Sequence, residues 1–190
     1  MSMNTKVNIT RSRRKTLSVR ITPTGDLDVR APLGLPRREI EGFLEEKRGW
    51  IEKNRQQVLS QTKAGRERPL TQEHLETLKE LAREPIRESL QKYAPILGVT
   101  YGNVTLRCQK SRWGSCSSKG NLNFNCLLAL APRSVLEYVV VHELAHRKQM
   151  NHSAAFWQEV ARAKPDYKKD LQWLKDNGGI LMARAAEGKE

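Results

Sequence analysis

The sequence predicts an α+β fold, on three observations. Residues 15–31 alternate apolar and polar side chains about a turn. A helical apolar period begins near Pro36 and returns from about Thr71. A strand-and-turn stretch over 104–125 then leads into a strongly apolar helix opening at Pro132.

Each element has a local reason. In Thr16-Leu17-Ser18-Val19-Arg20-Ile21 one face is apolar, Pro23-Thr24-Gly25-Asp26 supplies the turn, and Leu27-Asp28-Val29-Arg30 resumes the alternation, so a hairpin is expected. Ile40, Phe43, Leu44, Trp50 and Ile51 form the stripe of the following helix, with Pro36 at its first turn. Residues 61–70 lack periodicity and read as a linker, which separates an N-terminal module (1–68) from a second domain (69–190). A helix over Thr71–Tyr93 is expected to kink or break at Pro85, and Pro95 and Gly98 lead out of it. Val104–Cys108 and Leu122–Asn125 read as strands, joined through the Gly/Ser-rich Ser111–Ser117. The helix from Pro132 runs to Gln149, two helical segments follow at 153–163 and 166–177, and Gly178-Gly179 closes the second. There is no internal repeat.

Composition narrows the class. The chain has 190 residues, 34 Lys and Arg against 21 Asp and Glu, and 38% hydrophobic residues. That is enough for a core, which excludes full disorder. The longest apolar run, Cys126–Ala131, is far short of the roughly 20 residues a spanning helix needs. The first residues lack an apolar segment, so no export signal is expected and a cytoplasmic location follows. Cys108, Cys116 and Cys126 have no C-x-x-C spacing and read as reduced thiols. Positive charge concentrates in residues 1–68, with 16 basic and 8 acidic side chains, which leaves nucleic acid open as a partner of that module. Without interleaved aromatics, the simpler reading of those charges is a solvated surface.

His142-Glu143-Leu144-Ala145-His146 carries the chemistry. On a helix, residues four apart share a face, so both imidazoles can meet one ion. Glu143 lies beside that face, where its carboxylate reaches an activated water instead of the ion. Catalytic zinc takes three protein ligands and one open position. His152, six residues beyond His146, is the first choice for the third. Glu159 in the next helix is the alternative. His74 sits among Arg and Glu on a surface helix and is not expected to bind. Asn151 is suited to a left-handed turn that brings His152 back.

These residues, continued by His152-Ser153-Ala154-Ala155-Phe156-Trp157, resemble the YgjP-like zinc metallopeptidase family, relatives of SprT-type and WLM proteases. Lys110-Ser111-Arg112-Trp113-Gly114-Ser115-Cys116-Ser117 and Gly120-Asn121-Leu122-Asn123-Phe124-Asn125 resemble its second signature. The resemblance implies a zincin-like catalytic domain behind the β-hairpin-plus-helix module, bound Zn²⁺ and a peptide or protein substrate. It also implies an edge strand that pairs with the substrate, so that Arg112, Trp113 and Asn123 line a cleft. In this mechanism Glu143 is the general base, and Tyr167 is a candidate donor to the developing oxyanion. Arg147, unusual after the second His, is expected to be exposed, and Phe156-Trp157 to pack against the metal helix. Two alternatives accompany this reading: a zinc-dependent nucleotide phosphoanhydride hydrolase, and a DNA-associated SprT-like protease.

Overall fold

A computed structural model describes residues 5–66, 69–109 and 111–186. Lys110 of the second signature, residues 67–68 of the expected linker and the first four residues of the leader reading lie outside them. The chain forms two compact units, 1–64 and 65–190.

In the first unit, β1 (Val7–Ser12), β2 (Ser18–Ile21) and β3 (Leu27–Pro32) make a sheet in the order β1-β3-β2. The expected hairpin is the antiparallel pair β2/β3, turning at Gly25 with φ 81°. β1 was not expected. It lies parallel to β3, with Val7 opposite Leu27, and only Val7 and Ile9 mark its inner face before Arg11 breaks the pattern. Arg11 instead donates to the carbonyls of Pro32, Leu33 and Leu35, tying down the turn into α1 (Arg37–Glu46). Leu27, Val29, Ala31, Ile40, Leu44 and Ile51 are buried together. Trp50 departs from the expected stripe and is 50% exposed, because the helix stops at Lys47 and α2 (Arg48–Arg66) restarts in a new phase. Residues 61–66 belong to α2 and are not linker.

The second unit opens with α3 (Gln72–Leu97). Thr71 and His74 form its capping box: His74 N–H donates to Thr71 Oγ1, and Thr71 N–H donates to His74 Nδ1. That occupies His74 away from any site. The helix is unbroken through Pro85 and ends on Gly98 in the left-handed region. β4 (Val104–Arg107), β5 (Gly114–Cys116) and β6 (Leu122–Asn125) form a sheet in the order β4-β6-β5. A 3₁₀ turn (Cys126–Leu130) leads to α4 (Arg133–Ala145), then α5 (Ala154–Ala163) and α6 (Tyr167–Ala186). Val139, Val140 and Val141 are buried, as their run of apolar residues implies, and pack with Ile86, Leu90, Leu122, Phe124 and Phe156.

Four further features of the chain depart from the sequence expectations. α4 ends at Ala145, not Gln149; the amides of Arg147 and Lys148 turn to the carbonyls of Leu144 and Ala145 in a tightened last turn. No described non-glycine residue has positive φ, so Asn151 is not left-handed; its side chain accepts from Ser153 N–H instead. Gly178 and Gly179 lie inside α6, where a Cβ on Gly178 would come within 3.0 Å of Trp113 Cζ2. Cys108 and Cys126 are joined as a disulfide, their Cα atoms 5.3 Å apart after β4 and β6 pair, so these two are not reduced thiols.

Glu137 shows what holds α3 to α4. Tyr93 donates to its carboxylate at 2.8 Å, and Lys92, Arg133 and Lys164 surround it. Burial alone would raise its pKa; the Tyr93 hydrogen bond and these cations outweigh it and hold the carboxyl below its usual range. Glu137→Ala should therefore cost about 1.5–3 kcal/mol at neutral pH, the scale of hydrogen bonds to charged groups. A native value below the unfolded one stabilises above the ordinary Glu value of about 4.3 and is lost as pH falls through the lowered value. Paired melts of wild type and variant across pH 3–7 should show the gap closing only in acid.

Candidate metal centre

His142 lies in the last turn of α4, His146 caps that helix, and His152 precedes Ser153, the N-cap of α5. Ser153 Oγ accepts from Phe156 N–H, which starts α5 directly behind the third histidine. Together these elements place one ring nitrogen from each histidine within 4.8 Å of the others. His142 Nε2 and His152 Nε2 are 3.0 Å apart. His146 Nδ1 lies 3.0 Å from the carbonyl of Gln149, which favours protonated Nδ1 and leaves Nε2 with its lone pair. Phe156, fully buried, stands 4.6–4.9 Å from all three rings, and Trp157 packs beside His142 and His152. This is the packing expected of that pair.

The donor set fits a cation. Burial first, then the neighbouring histidines, pushes His142 down to about 3, and burial lowers His146. Both rings are thus neutral at pH 7, the form in which imidazole can bind a metal. Imidazole nitrogens 3.0 Å apart share a proton or turn their lone pairs to a common cation, and three such rings suit zinc and its transition-metal neighbours. His142 Nδ1 is buried without a hydrogen-bond partner among the described residues, so the ring's polar contact is its inward nitrogen. Glu159 is held elsewhere. Its carboxylate pairs with Arg162 and Lys148, which keep it below the usual range.

Glu143 is 5% exposed and lies against Gly114 of β5. A Cβ on Gly114 would stand 2.7 Å from both Cγ and Oε1 of Glu143, so only glycine leaves that carboxylate its place. Burial pushes Glu143 up to about 8, with Arg112 pulling weakly the other way. A cleft of about 410 Å³ opens beside it, lined by His142, Tyr138, Arg112, Trp113, Leu171 and Leu174 among others.

The structure brings Arg112 and Trp113 to this cleft. Asn123 is not in its lining; the Asn123 amide donates to Ser115 Oγ from the central strand of the sheet. Of the two strands in this stretch, β5 lies at an edge of the sheet and the 122–125 strand is central. Tyr167 stacks on Trp157 (5.5 Å) and on Tyr138 (6.2 Å), in the aromatic shell behind the cleft. Cys116 is half-buried on β5, where burial raises its thiol. Arg147 is only partly exposed: it lies over Gly120 and donates to the carbonyls of Thr100 and Ser118, because Gly120 (φ 83°) leaves room for the guanidinium.

Two contributors were missed. Tyr138 sits one turn before His142, a spacing that could have placed it on the ligand face. Asn125 is fully buried; its Nδ2 donates to the carbonyls of Gln109 and Arg112 and thereby sets the Arg112–Trp113 wall. No local sequence signal marks that role.

Three converging imidazoles that could hold a metal ion, with a buried carboxylate on the adjoining cleft, are the donor set a metal-dependent hydrolase needs. The family described as YgjP-like, metallopeptidase domain, matches residues 15–76 and 62–177, and the chain belongs to it. The protein is accordingly a metallopeptidase-type hydrolase of proteins or peptides, with an α+β, zincin-like catalytic domain. The crystal structure of the metallopeptidase zymogen abylysin from Pyrococcus abyssi is similar, with 26% identity over 47% of this chain and 90% of that one, at a TM-score of 0.44. No curated protein matches the chain. No helix among the described residues is long and apolar enough to cross a membrane.

Proposed function

We propose that the protein is a zinc metallopeptidase in which His142, His146 and His152 hold the ion and Glu143 is the general base. The observation that carries this is the convergence of three imidazole nitrogens within 4.8 Å next to a carboxylate seated on Gly114. When bound, zinc polarises the peptide carbonyl and lowers the pKa of water. Glu143 in its charged form, which a cation held by the adjoining histidines would favour against burial, takes the water's proton on a carboxylate oxygen and hands it to the nitrogen of the leaving amine.

Other groups orient the substrate. Trp113 C=O accepts from Asn125 N–H, and Ser117 N–H donates to Asn121 C=O, so the alternation of an antiparallel pair turns the amides and carbonyls of Gly114 and Cys116 to the open side of β5. An extended peptide can add there as a further strand. Tyr138 is better placed than Tyr167 to donate to the oxyanion, because it lines the cleft with His142 and Glu143. Burial above all pushes its phenol up to about 12, so it keeps its proton.

The test is metal analysis together with peptidase assays. Purified protein should carry about one zinc per chain; a chelator should abolish peptide cleavage and zinc should restore it. Cleavage indifferent to chelation would overturn the reading. Hydrolysis of nucleoside triphosphates in the same series, with no peptide cut, would favour the phosphoanhydride alternative.

A further inference from the structure

We propose that the cleft selects substrates carrying a carboxylate beside an apolar residue at the cut, with Arg112 as the carboxylate-binding residue; this rests on the peptidase reading above. The walls are apolar: Trp113, Val139, Leu171 and Leu174. Cations stand at its rim, Arg112 from the Ser111–Gly114 wall and Lys175 from α6. At about 410 Å³ the cleft lies in the range of roughly 300–1,000 Å³ typical of sites that enclose small ligands. Its composition asks for an apolar group with one negative end.

Arg112 is built for that end. Its backbone is fixed, since its carbonyl accepts from the fully buried Asn125 at 2.8 Å. Its neighbour Trp113 is fixed as well, lying against Gly178 of α6. Yet the Arg112 guanidinium makes no hydrogen bond or ion pair within 4 Å among the described residues, although most arginines of this unit do. A planar guanidinium held at the lip of an apolar cleft, close to the base but not spent on it, matches a carboxylate in a two-pronged hydrogen bond. A triphosphate fits less well. It calls for a glycine-rich amide cradle or carboxylates to hold magnesium, and Glu143 is the single carboxylate in the lining. The substrate carboxylate can be a chain terminus or an Asp or Glu side chain, and the experiment separates them.

The experiment uses the full chain and matched quenched-fluorescence peptides, in which an apolar residue is followed by Glu or Gln, or ends as a free acid or an amide. Wild type should favour one acidic member by roughly tenfold to a hundredfold in kcat/KM, the scale of a charge-assisted hydrogen bond. The member favoured identifies the source of the carboxylate. In Arg112→Ala that ratio should fall to within about twofold of one, and Arg112→Glu should turn the preference towards a Lys peptide. Arg112 is exposed, and thermal melts confirm that the variants fold. Calorimetry of acetyl-leucyl-glutamate with metal-free protein gives a second readout, with binding expected in wild type and lost in Arg112→Ala.

The outcomes separate the two claims. Peptide cleavage without an acid preference overturns the carboxylate assignment and leaves the peptidase reading standing. Arg112-dependent binding with no cleavage of any peptide does the reverse. No preference and no binding overturn the assignment, as does tighter Arg112-dependent binding of a nucleoside triphosphate than of the dipeptide.

Discussion

Glu143→Gln is expected to lower peptide hydrolysis by about 10²–10⁴ while zinc occupancy and fold stay intact. The geometry is why these effects separate. Glu143 lies against Gly114 on the cleft side of α4, outside the cluster of three imidazoles, so its loss removes no ligand. Gln has nearly the same shape and fits the same recess. Burial already disfavours the charged carboxylate, so a neutral amide should not destabilise the site. What disappears is an oxygen that can accept a proton. Zinc content, melting temperature and kcat/KM on one substrate, measured on one preparation, decide the matter. Unchanged turnover would show that the activity arises elsewhere. Loss of zinc along with turnover would make Glu143 a ligand. The variant also discriminates among substrates, because any activity of this site, peptide or phosphoanhydride, must fall with the base.

The clustering of the histidines was legible because its geometry is local. His142 and His146 are one helical turn apart, so sequence spacing alone puts them on one face. His152 was legible from spacing too, but the way the chain brings it back was not: a tightened helix end and the Asn151 side chain replace a left-handed residue. Contributors set by long-range contact were invisible. Asn125 positions Arg112 from thirteen residues away, and Gly114 makes room for Glu143 across 29 residues; in sequence one reads as a strand polar residue and the other as a turn glycine. Arg147 looked like an exposed charge because the carbonyls it reaches, Thr100 and Ser118, belong to distant loops. The same limit hid the Cys108–Cys126 pairing, which depends on the register of β4 with β6. β1 failed for another reason: its inner face carries only two apolar residues, too few to mark a period.

His152→Ala should weaken zinc binding by at least about a hundredfold, beyond the 10–100-fold typical of residues that only support ligands. Among the three histidines His152 is the exposed one, set on the loop between α4 and α5, so its removal leaves little buried void and the fold should persist. Its Nε2 nevertheless stands 3.0 Å from that of His142, and without it two imidazoles remain, short of the three protein ligands of a catalytic site. Competition titration against a zinc indicator measures the loss, and melting of the metal-free variant checks the fold. Two controls make the result specific. His74→Ala removes half of a capping box on α3, at a cost on the order of 1 kcal/mol, and should leave zinc affinity unchanged. Glu159→Ala breaks pairs with Arg162 and Lys148 and should also leave zinc in place. If His152→Ala retained full affinity while Glu159→Ala lost it, the ligand set would be two histidines and a glutamate, and Glu159 would have to leave its cations to reach the ion.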